Sequence, residues 1–178
     1  MMGAASSAVG KLLHGHANGY PAQRPPGQSR ARILFYESTD PHYGFTNFSA
    51  HDVIYHGKRY PTSEHLFQAM KFIDTCPEVA EKIRTVSERP RDAFNEAHAY
   101  KRYQRADWLK VNIEMMDDVL LHKFTQHQDL KAELLGTGDA ELIENSPYDA
   151  FWGNGKDKQG RNELGKALER LRSELRGF

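Results

Sequence analysis

The sequence predicts a mainly helical α+β domain with a small antiparallel sheet, and three observations lead there. Apolar residues recur at helical spacing in several separate stretches after Pro61. Short runs rich in β-branched and aromatic residues stand before it, as in Ile33-Leu34-Phe35-Tyr36 and Val53-Ile54-Tyr55. No internal repeat period is visible, which excludes solenoids and propellers.

Taken in order, Met1 to about Arg32 is small, polar and broken by Gly10, Gly15, Gly19, Pro21, Pro25, Pro26 and Gly27, and reads as a disordered tail. A single folded domain is expected over 33–178, beginning with a strand at Ile33-Leu34-Phe35-Tyr36. Val53-Ile54-Tyr55 and Lys58-Arg59-Tyr60 flank His56-Gly57 as a hairpin. Thr62 or Ser63 can cap a helix running through Glu64, Phe67, Met70, Lys71 and Phe72. Further helices are expected after Pro77, after Pro90 and from Asp107 to about Phe124, where Trp108, Val111, Met115 and Val119 share a face. Another spans Asp129 to Leu135 and stops at Gly136. In the last, Leu164, Ala167, Leu168, Leu171 and Leu175 form one apolar stripe.

Composition narrows the function classes. The 178 residues carry 24 basic and 24 acidic groups, a balance that argues against adhesion to duplex nucleic acid by charge. Four basic and no acidic residues fall in 1–32, so the body carries a net charge of −4 behind a basic tail. No apolar run approaches the ~20 residues that cross a bilayer, and no secretory segment is present. Cytoplasmic location is therefore the expectation. The tail carries two alternatives: Met2-Gly3-Ala4-Ala5-Ser6-Ser7 fits N-myristoylation if Met2 initiates, and an acid-free start resembles an organelle-targeting peptide. One cysteine, Cys76, excludes an intramolecular disulfide framework and reads as a structural thiol. Nine histidines give no metal-ligand spacing, so no metal is expected. Neither a dinucleotide-binding nor a phosphate-loop fingerprint occurs, and no cofactor is expected.

Two stretches carry chemistry. At about 100° per residue, Glu64, Gln68 and Lys71 fall on one helical face, and Phe67, Met70 and Phe72 leave that stripe little room to be purely solvated. The other stretch, Glu144 to Gly155 followed by Gly160 to Gly165, sets Tyr148, Asp149, Phe151 and Trp152 beside glycines. Such a loop can bring backbone and a flat apolar surface close to a ligand.

These residues resemble a family. The blocks Phe35-Tyr36, Thr46-Asn47-Phe48, Pro61 to Phe72, Arg105-Ala106-Asp107-Trp108, Lys123-Phe124, Asp149 to Gly155 and Asn162-Glu163-Leu164-Gly165 are together similar to the YbiA-like NADAR (NAD- and ADP-ribose-associated) family over about 33–176. The resemblance implies a mostly helical fold and hydrolysis of a ribosyl N-glycosidic bond. It assigns catalytic roles to Glu64, Lys71 and Asp149, ligand contacts to Trp108, Trp152, Asn47 and Gly153, and substrate binding also to Tyr36, Phe48, Gln68 and Asn162.

The implied substrates are ADP-ribose on guanine in nucleic acid or a nucleotide, and a phosphorylated ribosylaminopyrimidine of riboflavin synthesis. The first is preferred because the chain shows no fused riboflavin-pathway enzyme. A non-catalytic ADP-ribose-binding module is the competing reading. Neither a membrane nor an obligate protein partner is expected. Ala97-His98 stands where many relatives carry Gly-Arg, and Leu168-Glu169 where Leu-Met is common; Arg102, Arg105 and Arg161 are the alternative phosphate partners.

Within the expected mechanism, Glu64 and Asp149 serve as carboxylate and acid on a sugar that gains positive charge. Lys71 forms a Schiff base with the opened sugar.

Overall fold

The computed structural model describes residues 29–177; the tail expected over 1–32 lies outside them except at its end, where Arg32 already belongs to a strand. In chain order the elements are β1 (Arg32–Phe35), β2 (Val53–Tyr55), β3 (Lys58–Tyr60), α1 (Ser63–Ala69), α2 (Pro77–Thr85), α3 (Pro90–Ala99), α4 (Trp108–Gln126), α5 (Gln128–Gly136), β4 (Glu141–Glu144) and α6 (Glu163–Arg176).

The hairpin forms as expected, with Val53 opposite Tyr60 and the turn made by His56 and Gly57, both at positive φ. The strand at 32–35 belongs to a different sheet. It pairs in parallel with β4, Ile33 opposite Leu142 and Phe35 opposite Glu144, so the antiparallel sheet expected from the sequence is joined by a separate parallel pair. β4 itself shows too little pattern to be read, having only Leu142 and Ile143 between acidic residues.

Helix α1 sits at the centre. All seven of its residues are buried, and α2, α3, α4, β2 and β3 all pack against it. The Thr62 hydroxyl caps it, accepting from the His65 backbone N–H. His65 then bridges Thr62 Oγ1 at 2.8 Å and Ser87 O at 2.9 Å, and burial holds its pKa below the usual value, so it acts as a neutral strut. The helix ends three residues before the expected Phe72. Residues 70–75 continue as turns, and the Lys71 carbonyl accepts from Arg105 N at 2.9 Å. Pro77 and Pro90 occupy the first turns of α2 and α3, where a missing N–H costs nothing.

The buried face of α4 is rotated from the apolar stripe read in the sequence. It comprises Trp108, Asn112, Met116, Val119, Leu120, Lys123 and Phe124, while Val111 and Met115 are half-buried. The polar members explain the shift, since apolar periodicity does not count Asn112 or Lys123. Lys123 is fully buried and its Nζ donates to Gly44 O at 2.6 Å, Thr46 O at 2.8 Å and Ser49 Oγ at 2.9 Å. It thereby staples the loop that carries Asn47 and Phe48. In α6, Gly165 lies against β4 so closely that a Cβ there would stand 2.0 Å from Leu142 O.

Burial pulls the Lys123 ammonium down from 10.5 to about 7. The unfolded chain therefore binds more protons than the folded one between those values, and this group's contribution to stability rises with pH across that window. Replacing Lys123 with Met leaves three acceptors without their donor and should cost about 1–3 kcal/mol in urea unfolding at pH 7. The gap to the wild type should widen by pH 9. A Lys123→Met protein as stable as the wild type at both pH values would show that the lysine does not hold this loop.

Candidate active site

One cleft of about 580 Å³ opens where α1, the 36–48 loop, the start of α4, the end of β4 and the 146–152 loop meet. That volume falls in the usual range for small-ligand sites, about 300–1,000 Å³. Tyr36, Asn47, Phe48, Glu64, Gln68, Lys71, Trp108, Asp149 and Trp152 all line it. Gly153 and Asn162 do not.

The floor comes from α1. Glu64 Oε1 accepts from Gln68 Nε2 at 2.7 Å, one helical turn on, and Glu64 N donates to Asn47 O at 3.1 Å, tying the helix to the 44–49 loop. Burial raises the Glu64 pKa, against the opposing pull of the Gln68 hydrogen bond and of Lys71 and Arg91. Asn47 Nδ2 donates to Met116 Sδ at 3.4 Å, while Asn47 Oδ1 and Gln68 Oε1 are buried without a partner among the described residues. Two orphan acceptors in a cleft are what a ligand's hydroxyl or amine groups would satisfy.

Lys71 stands just past the helix end, half-buried, its Nζ 5.4 Å from the centre of the Trp108 ring. No carboxylate forms an ion pair with it among the described residues. Burial lowers its pKa, opposed by Glu64 and assisted by Lys101, which increases the share of free amine at neutral pH.

Aromatic rings form the wall. Phe67 lies 5.1 Å from Trp108 and 5.2 Å edge-on to Trp152, and Trp152 meets Phe151 at 4.9 Å. Asp149 anchors the opposite lip. Its Oδ1 accepts from the backbone N–H groups of Phe151 at 2.8 Å and Trp152 at 2.7 Å, which fixes the turn that presents Trp152 and leaves Oδ2 for the cleft.

Sequence reasoning missed Glu144 and Arg91. Glu144 closes β4 and lines the cleft, and burial, reinforced by Asp149 and Glu64, raises its pKa to about 8. Only its neighbourhood to Asp149 could have pointed to it. Arg91, on α3, lies over the Phe48 and Phe94 rings at 5.1 and 5.5 Å at the cleft mouth. The alternatives expected for phosphate contact are engaged elsewhere: Arg105 pairs with Asp107 and Asp74, Arg161 with Glu163, and Arg102 covers Tyr103. None of the three lines the cleft.

Gly153 and Asn162 act behind the surface. A Cβ on Gly153 would meet Glu144 O at 2.8 Å, and Asn162, in the left-handed region, accepts from Glu144 N at 2.9 Å and donates to Leu142 O at 2.8 Å. The Cys76 thiol donates to Glu78, a contact that pushes its pKa up. Four carboxylates, Glu37, Glu64, Glu144 and Asp149, line the cleft, yet no group of three or more His, Cys, Asp or Glu side chains among the described residues could hold a metal ion.

Comparison with known proteins agrees with this architecture. The chain is 41% identical to N-glycosidase YbiA of Escherichia coli over 143 residues, covering 80% of this chain and 88% of that protein. It is 38% identical to N-glycosidase Npun_R5314 of Nostoc punctiforme over 146 residues, 82% and 94% of the two chains. The riboflavin biosynthesis protein VVA0006 of Vibrio vulnificus is 41% identical over 143 residues, but this chain spans only 38% of its length. The NMR structure of E. coli YbiA superposes with a TM-score of 0.75 at 38% identity, covering 83% of this chain and 86% of that one. Residues 34–176, from β1 to the end of α6, match the NADAR domain, and the chain belongs to that family.

Proposed function

We propose that this chain hydrolyses ribosyl N-glycosidic bonds and that its substrate is ADP-ribose linked to guanine, in nucleic acid or a nucleotide. The observation that carries the reading is the joint desolvation of Glu64 and Lys71 in one aromatic-walled cleft, beside the unpartnered acceptors Asn47 Oδ1 and Gln68 Oε1. A carboxylate in that position stabilises the positive charge that grows on a ribosyl ring as its C–N bond breaks. A lysine with a share of free amine adds to C1′ of the opened sugar, the base leaves, and water frees the Schiff base. Trp108 and Trp152 flank the sugar, and Tyr148, 89% exposed on the lip, offers a ring to a base held outside.

Both substrate classes carry phosphate, and Arg91 is the cation at the cleft mouth that can meet it. The ribosylaminopyrimidine phosphate is the second reading, favoured by the name of the Vibrio relative. A cytoplasmic site of action accords with the absence of any described helix long and apolar enough to cross a membrane.

Turnover of the two substrates side by side, followed by mass spectrometry, tests this. Glu64→Gln should lower kcat by at least about 100-fold with the fold retained. Because burial raises the Glu64 pKa and the group acts ionised, wild-type activity should be lost on the acid side at a pH above the ordinary 4.5. Release of ADP-ribose alone supports the first reading and cleavage of the pyrimidine alone the second. Binding without Glu64-dependent turnover of either would make this a recognition module.

Borohydride should trap a covalent adduct that Lys71→Ala removes; an adduct of equal yield in that variant would refute the Schiff base. Arg91→Ala should raise KM about tenfold, the worth of one charged hydrogen bond to phosphate, and leave kcat nearly unchanged.

A further inference from the structure

Glu144 is a buried carboxyl in the cleft to which the reading above gives no role. Four carboxylates line one cavity whose cations are Lys71 and Arg91: Glu37, exposed at the rim, and three from separate elements further in, Glu64 on α1, Glu144 on β4 and Asp149 on the 146–152 loop. Like charges in a partly dry site do not all ionise together, so the question is which one keeps its proton. Glu64 has a donor in Gln68 Nε2 and feels Lys71 and Arg91. Asp149 has two backbone N–H donors on Oδ1. The Glu144 carboxyl receives no hydrogen bond from any described residue, and both charged groups acting on it, Asp149 and Glu64, are acidic.

Its backbone, by contrast, is held from several sides. Glu144 sits opposite Phe35, its N–H is taken by Asn162 Oδ1, and its carbonyl accepts from Asn154 N at 2.9 Å with Gly153 packed against it. Gly153 and Asn162, two residues that stand outside the cleft wall, thus converge on the placement of this one side chain.

We propose that Glu144, in place of the Asp149 expected from the sequence, is the acid of the reaction: its carboxyl proton passes to the ribosyl nitrogen as the C1′–N bond breaks. Glu144 is left ionised and recovers a proton from the water that then hydrolyses the Schiff base, so charge and atoms return to the start. The raised pKa of the group is what such a role needs near neutral pH. This assignment rests on the N-glycosidase reading.

Single-turnover rates for wild type and Glu144→Gln, combined with a ¹³C NMR titration of the Glu144 carboxyl, test it. Glu144→Gln should slow the chemical step by at least about 100-fold with KM changed less than about threefold. The wild-type rate should fall above about pH 8, and the variant should lack that limb. The carboxyl resonance should report a protonated group at pH 7. A carboxyl already ionised at pH 6 overturns the proposal whether or not the variant folds. Wild-type turnover matched by Glu144→Gln removes the assignment alone, whereas absence of any Glu64-dependent turnover removes the activity and the assignment with it.

Discussion

The burial of a polar helix is the constraint on which the rest of this structure depends. Ser63, Glu64, His65 and Gln68 are four of the seven residues of α1, and every one is buried. Each buried polar group costs about 1–3 kcal/mol unless it is partnered, so the surrounding elements are arranged to partner them. Thr62 and Ser87 take up His65, Gln68 takes up Glu64, and the Asn47 carbonyl receives the Glu64 N–H. Of the two buried oxygens of α1 left without a partner among the described residues, Gln68 Oε1 belongs to a cleft-lining side chain and Ser63 Oγ does not. The apolar members, Leu66, Phe67 and Ala69, meet the core that α2, α3 and α4 complete.

A second layer of support holds the loops that α1 does not reach. Lys123 ties 44–49 from below, Asp149 closes its own turn, and α6 presses β4 into place through Gly165. The site is therefore built on clamped backbone rather than on free loop. Rigid placement of this kind suits a reaction whose barrier is lowered by charge already in position when the bond breaks.

Much of this was legible in the sequence, and the parts that were not fail for physical reasons. The hairpin, the Thr62 cap, the two proline-started helices and the apolar stripe of α6 are local signals, and each forms where it was expected. The Glu64, Gln68 and Lys71 stripe does reach one cleft, although Lys71 does so from a turn instead of a helix. β4 has no pattern of its own because its partner is a parallel strand more than a hundred residues away, Phe35 against Glu144. Lys123 reads as a surface residue by type, and only the carbonyls gathered around it make its burial tolerable. The family resemblance puts Gly153 and Asn162 at the ligand, whereas in the fold Gly153 packs on the Glu144 carbonyl and Asn162 bonds to the backbone of β4.

The pairing of β1 with β4 also sets an order on the making of the cleft. One wall starts at Tyr36, directly after β1, while another is Glu144 at the far end of the strand that zips beside it. During synthesis the early segment waits with its strand edge open until β4 has emerged, and α6 must follow before Gly165 can press on Leu142. Contacts so distant in sequence form late because the intervening loop must be closed first. A growing chain thus carries the buried glutamate of α1 and the lysine just beyond that helix well before it can enclose a sugar between them and Glu144.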